Sequence, residues 1–300
     1  MSNSEGPEYI AGNKCLVTFI SQDSPRGAKE TERKRSEKTK QKIEDPSFLQ
    51  ALGTDEVDLD VYVFAQYVSK ANLAGIVQPV FKFLRNHKHD EIDAYIAQLK
   101  DEGNQYGSFV FVITSYLPRY SLSTKLEFEL YDRDMTLDYF IDKMKSFESM
   151  ARKPKIFLVQ ADNRALLVEE TFPKGPGRED DKKPKIPTDA DRLIIFSTIP
   201  QRLSTRPKDS TTDAGGVVSV PPSDENSHAS FLMQAFVKVL EEKPDQDLLL
   251  LTPSILCCVK EMIEKFKATH SNYKDRNIEW PLVISTLRKG VFLTKLVQQQ

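Results

Sequence analysis

Four short runs in this chain are apolar at nearly every position instead of at alternate ones: Leu16-Val17-Thr18-Phe19-Ile20, Phe109-Val110-Phe111-Val112-Ile113, Ile156-Phe157-Leu158-Val159 and Leu193-Ile194-Ile195-Phe196. A strand with one wet face alternates; a run without alternation has to be covered on both faces. The segments between these runs can supply the cover. His89 to Gly103 carries Ile92, Tyr95, Ile96 and Leu99 at i, i+3, i+4 and i+7, and Gly103 stops it. Thr136 is placed to cap a helix bearing Leu137, Phe140, Ile141, Met144 and Phe147. Asp58 to Lys70, Phe231 to Leu240 and Ser254 to Lys267 also read as helices. Strands alternating with helices predict an α/β fold of three layers, a central and mostly parallel sheet with helices on both faces.

Weaker strand signals complete the pattern. Val77 to Leu84 reads as a strand, although Pro79 argues against a central position. Leu126 to Leu130 alternates like an edge ribbon. Pro281 to Leu293 holds two apolar stretches around Arg288-Lys289-Gly290, a terminal strand or two. Residues 1–12 are polar and expected to be disordered. Residues 21–47 read as an exposed loop with a basic bias, and 207–229 as a second long loop. Residues 169–188, rich in Pro, Lys and Asp, form a linker and the interior segment expected to be most protease-sensitive.

Several functions are excluded by composition. Lys+Arg is 42 against Asp+Glu 44, so there is no general pull toward nucleic acid or an acidic membrane. No apolar run approaches the length of a membrane span, and residues 1–13 lack signal-peptide order. The three cysteines, Cys15, Cys257 and Cys258, are not a disulfide framework, which fits a reducing, cytoplasmic setting. Cys257 and Cys258 sit in an apolar helix and are expected to pack in the core. No CxxC or HxxxH spacing suggests a metal, and no GxxxxGK[ST] or GxGxxG suggests a nucleotide, so neither metal nor cofactor is expected.

Any active site of such a sheet lies at the carboxyl ends of its strands. One of these ends reads Ser115-Tyr116-Leu117 and another Gln160-Ala161-Asp162-Asn163-Arg164. Here the chain resembles caspases. Lys153 to Ala161 is similar to the strand that delivers the caspase cysteine, with Asp162 at the cysteine position. Phe109 to Ser115 resembles the strand ending in Ser-His-Gly, with Tyr116 at the histidine position and Leu117 at the glycine position. Gly53-Thr54-Asp55 resembles the opening of the first helix, and Asp189 to Pro200 the start of the small subunit. Leu203-Ser204-Thr205-Arg206 is similar to the loop bearing a substrate-binding arginine, and Ser230 to Gln234 to the helix that follows. The resemblance implies one caspase-like domain: a large-subunit-like region over 13–168, an intersubunit linker over 169–188 and a small-subunit-like region over 189–300.

The departures set the functional expectation. Cysteine-peptidase chemistry needs a thiolate and a nearby imidazole, and Asp162 and Tyr116 supply neither. In the pocket that resembles the family's clamp for a substrate aspartate, Gln160 and Arg206 remain while Ala51 stands at the first arginine position. The resemblance therefore implies a catalytically inactive homologue that regulates an active caspase by heterodimerisation, as activator or decoy inhibitor, in apoptosis or innate immunity. Self-pairing is the related possibility. The rivals are a hydrolase with an unorthodox nucleophile and a peptide-binding decoy that does not dimerise. The resemblance places the pairing strand at Leu282-Val283-Ile284-Ser285-Thr286-Leu287, and a charge at Ile284 is expected to block pairing there. Asp180 and Asp181 are candidate cut points for a partner caspase, and Asp55-Glu56-Val57-Asp58 resembles an executioner cleavage sequence but is better placed to cap a helix.

Overall fold

The computed structural model describes residues 14–27, 58–73, 78–118, 126–166, 190–201 and 229–293. Among these residues six strands form the central sheet: β1 (Lys14–Ser21), β2 (Gln78–Arg85), β3 (Ser108–Tyr116), β6 (Lys155–Asp162), β7 (Arg192–Ser197) and β8 (Leu282–Ser285). Their order is β2-β1-β3-β6-β7-β8; all neighbours run parallel except β7 and β8, which are antiparallel. Strands β4 (Glu127–Glu129) and β5 (Asp134–Thr136) make a separate antiparallel ribbon. The helices are α1 (Leu59–Leu73), α2 (His89–Glu102), α3 (Leu137–Met144), α4 (Phe231–Glu242) and α5 (Leu248–Thr269).

The unbroken apolar runs are buried on both faces, as their lack of alternation requires. Val17, Val110, Ile156 and Leu193 pack with α1, α4 and α5 on one face. Leu16, Phe111, Phe157 and Ile194 pack with α2 and α3 on the other. The second core is ring-rich: Phe157 stacks on Phe111 at 4.9 Å and meets Phe140 edge-on at 6.1 Å. Phe157→Ala removes a fully buried ring from this junction. It should lower stability by about 3–5 kcal/mol, read as a shifted midpoint in denaturant unfolding.

Local chemistry explains where the elements begin and end. Pro79 is tolerated because, among the described residues, β2 is the outermost strand, beyond β1. Asp58 caps α1, its Oδ1 accepting from the backbone N–H of Asp60 at 2.9 Å. Thr136 caps α3 as expected, accepting from Tyr139 N–H at 3.1 Å. Helix α5 starts six residues before the expected Ser254, with Pro253 inside it. Pro253 offers no N–H to the Leu249 carbonyl, and the Thr252 hydroxyl donates to that oxygen instead at 2.7 Å. Asp247 caps this helix through Leu249 N–H and also accepts from Val291 N–H at 2.9 Å, tying down the chain end.

The small-subunit-like half departs from expectation in two details. Of the two apolar stretches after Pro281, only Leu282–Ser285 is a strand; Val291 is buried and its carbonyl accepts from Leu248 N–H at 2.7 Å. Cys257 is exposed, so the expected core packing holds only for Cys258, which is partly buried against the first core. At the start of β7, Asp191 and Arg192 together face Thr286: Asp191 N–H donates to the Thr286 carbonyl and Thr286 N–H to the Arg192 carbonyl. This bulge puts Asp191 at φ 68°, a left-handed conformation that Asp tolerates better than most residues. Its buried carboxylate receives both Nε and Nη2 of Arg288, at 3.0 and 2.7 Å.

Candidate functional site

The carboxyl ends of the parallel strands β1, β3, β6 and β7 lie along one edge of the sheet, and Tyr116, Leu117 and Asp162 meet there. Tyr116 and Asp162 are register partners on adjacent strands β3 and β6. The Leu117 N–H donates to the Asp162 carbonyl at 3.0 Å. Parallel pairing thus brings together residues 46 positions apart.

Asp162 is not a solvated loop carboxylate. It ends β6, is only 8% exposed, and both of its oxygens accept hydrogen bonds. Gln160 Nε2 donates to Oδ1 at 2.7 Å and Gln201 N–H to Oδ2 at 3.1 Å. Gln160 Nε2 also donates to the Ile199 carbonyl at 2.5 Å, and Asn163 N–H to the Thr198 carbonyl at 2.9 Å. Asp162 therefore fastens the turn after β7 onto the end of β6.

Tyr116 has an equally defined role. Its hydroxyl donates to the Asp23 carbonyl at 3.1 Å, in the turn after β1. The Asp23 carboxylate receives Arg85 Nε at 2.9 Å on each oxygen and Asn86 Nδ2 at 2.7 Å. Asn86 returns the contact by accepting Asp23 N–H at 2.9 Å, from a backbone at φ 54°. The ends of β1, β2 and β3 are joined through these groups.

Two carboxylates at this edge escaped the sequence reading. Glu129 lies in the ribbon segment whose alternation suggested a wet side chain, yet it is 2% exposed. It accepts from Arg26 N–H at 2.7 Å and pairs with Arg164 Nη2 at 2.8 Å. Burial pushes its carboxyl above the usual range, and the Arg26 hydrogen bond and the Arg164 and Arg26 charges partly offset that. Asp60, in the first turn of α1, is 0% exposed and accepts from Ser230 N–H at 2.6 Å. Burial first, then the Asp58 charge, with a smaller contribution from Asp162, holds its carboxyl well above the ordinary range; the Ser230 hydrogen bonds oppose this. An acid in a helix's first turn reads as a favourable dipole contact, and one in an alternating ribbon as a wet side chain, so neither burial is visible in local pattern.

Ala51, Arg206, Asp180 and Asp181 lie outside the described residues, as do residues 1–12, the 169–188 linker and most of the 207–229 loop. The segment Leu282 to Leu287 is described; β8 follows β7 as the last strand among the described residues, two strands from β6 and Asp162. Val283 packs against the first core and Ile284 against the second. Among the described residues, no His/Cys/Asp/Glu group is arranged to hold a metal ion, and no helix is long and apolar enough to cross a membrane.

A mostly parallel sheet of this order, with helices packed on both faces, defines an α/β protein of three layers. A family model described as the caspase domain of the C14 peptidases matches residues 47–292, and the chain belongs to that family. Among solved structures, it is similar to pro-sf-caspase-1, with a TM-score of 0.58 and 16% identity over 97% of this chain and 100% of that one. It is also similar to caspase-1 from Spodoptera frugiperda, with a TM-score of 0.57 and 15% identity over 100% of this chain and 98% of that one. At such identities the likeness is one of fold. A search of curated proteins finds no match.

Proposed function

We propose that this caspase-domain protein has no peptidase activity and instead regulates an active caspase by pairing with it through β8, in the cytoplasm, in cell-death or innate-immune signalling. The observation that carries this reading is the state of Asp162. Its position in the family calls for a thiolate nucleophile, and here a carboxylate stands there with both oxygens engaged in holding β6 to the turn after β7. A carboxylate is a poor amide nucleophile. The neighbouring Tyr116 offers a phenol where the chemistry needs an imidazole, and a phenol is a poor general base. The retained sheet, ending in a strand with a free edge among the described residues, supports pairing as the remaining role. A paired subunit can alter its partner's turnover because coupling runs through the shared interface.

The test mixes the chain with an active caspase and follows two readouts, sedimentation and the partner's turnover of an aspartate-containing peptide. A mixed dimer with a raised or lowered partner rate is expected, and its sign assigns activation or inhibition. Absence of both a complex and a rate change would sink the proposal, as would peptide cleavage by the isolated chain that is lost in Asp162→Ala.

A further inference from the structure

The joint between α1 and α4 is made by a carboxyl that water does not reach. A helix between two parallel strands runs back across the sheet, so α1, between β1 and β2, starts over the carboxyl edge. Asp60 stands in its first turn and is 0% exposed. Its Oδ1 accepts from Ser230 N–H at 2.6 Å, and Ser230 is the cap of α4, its hydroxyl accepting from Met233 N–H at 3.2 Å. One hydrogen bond thus ties together the starts of two helices 170 positions apart. Asp60 Oδ2 is buried and has no hydrogen-bond partner. As an ion, this group would keep a charge out of water with one oxygen unserved. As a neutral acid it carries a hydroxyl in place of the charge and still accepts from Ser230. The strongest charge facing it is also negative, the Asp58 carboxylate that caps α1; the sheet adds the weaker influence of Asp162, and α4 brings the Ser230 cap. The Ser230 hydrogen bonds favour the ion, and burial with the two like charges outweighs them.

We propose that Asp60 is a proton-dependent latch: as a neutral acid it fastens the start of α1 to the cap of α4, and loss of its proton loosens that joint. The sign follows from linkage. A carboxyl held above the ordinary range in the folded chain contributes stability that is fully present below its unfolded value and is lost as pH rises through the raised folded value. The latch therefore opens toward alkaline pH, whereas a carboxylate held as an ion pair would open toward acid. The joint that opens lies over the edge of the sheet that carries Tyr116 and Asp162, so proton loss loosens the cover of that edge while the strands stay paired. This device depends neither on β8 pairing nor on the absence of peptidase activity.

The test compares the full chain with its Asp60→Asn variant, which keeps an oxygen for Ser230 N–H and cannot ionise. Denaturant unfolding of both is followed from about pH 4 to about pH 8, a range that starts at the ordinary carboxylate value. Titrations common to the two proteins cancel in the ratio of their unfolding constants, parent over variant. That ratio should rise with pH by up to about tenfold per unit until the folded value of Asp60 is passed. Amide hydrogen exchange locates the effect: Ser230 and Met233 should exchange faster in the parent than in the variant as pH rises, while amides of β3 and β6 keep their protection. The carboxyl carbon shift of Asp60 in the folded parent, followed by NMR over the same range, reads the proton without any substitution and serves if Asp60→Asn does not fold. The proposal fails if the ratio is flat or falls with pH, if Ser230 and Met233 exchange alike in the two proteins, or if the Asp60 carboxyl titrates in the ordinary range. No partner is added and no peptide turnover is read, so this outcome is separate from that of the pairing proposal.

Discussion

Ser285→Pro is expected to abolish association of this chain with a caspase partner or with itself while leaving the monomer folded. Thr286 exchanges both of its backbone groups with the start of β7, donating to Arg192 and accepting from Asp191. In an antiparallel pair the bonded positions alternate, and Ile194 faces Ile284 while Leu193 faces Ser285. Leu282, Ile284 and Thr286 therefore turn their backbone groups toward β7, and Val283 and Ser285 turn theirs to the outer edge. Proline at Ser285 removes an outward N–H and fills its place with a ring, leaving the β7 ladder alone. The expected loss of affinity is on the order of a hundredfold or more, as two reciprocal hydrogen bonds and the fit around them are lost.

The control for this change is Ser285→Ala. It removes the same hydroxyl contacts, to the Arg192 carbonyl at 3.4 Å and from Leu287 N–H at 3.2 Å, without blocking the edge. Sedimentation of the two variants, alone and mixed with an active caspase, decides the matter; equal association would overturn β8 as the interface. The structure also changes which substitution is informative. A charge at Ile284 looked like the natural probe, but that side chain packs against the chain's own second core. Ile284→Asp would put a charge on a partly buried side chain and lower monomer stability as well as block pairing, so Ser285→Pro is the cleaner probe.

Restoring the family's residues should not restore the family's activity. Asp162→Cys combined with Tyr116→His is expected to turn over an aspartate-containing peptide at less than about one hundredth of the rate of an active caspase. Positioning errors near 1 Å can cost about that much. Replacing Asp162 removes the acceptor shared by Gln160 Nε2 and Gln201 N–H, so the turn that must hold the new thiol loses its fastening. Replacing Tyr116 removes the hydroxyl that holds the turn after β1 through the Asp23 carbonyl. The double variant should also unfold at lower denaturant than the parent. Caspase-like turnover in it would mean that the catalytic frame has been retained intact behind two substitutions.

The layering of this protein was legible in its sequence because it depends on local rules. Unbroken apolar runs such as Phe109 to Ile113 have to be buried on both sides, and the spacing of Ile92, Tyr95, Ile96 and Leu99 commits one face of α2 to the core. The strand-end positions Tyr116, Leu117, Gln160 and Asp162 were legible because they follow those runs directly. The length of α5 was not, because Pro253 reads as a breaker until the Thr252 hydroxyl is seen serving the Leu249 carbonyl.

What the tertiary structure alone decided is the chemical character of the carboxylates. Asp60, Glu129 and Asp162 look alike in sequence, as acids at element ends that would normally be wet. Burial and hydrogen bonding depend on which chain segments arrive from elsewhere: Ser230 on Asp60 from 170 positions away, Arg26 on Glu129 from 103, and Gln201 on Asp162 from 39. No local pattern encodes those meetings, because they are set by the order in which the strands assemble into the sheet. The sequence determined the strands and the faces they bury; the sheet order determined that Asp162 became a fastening between two strand ends.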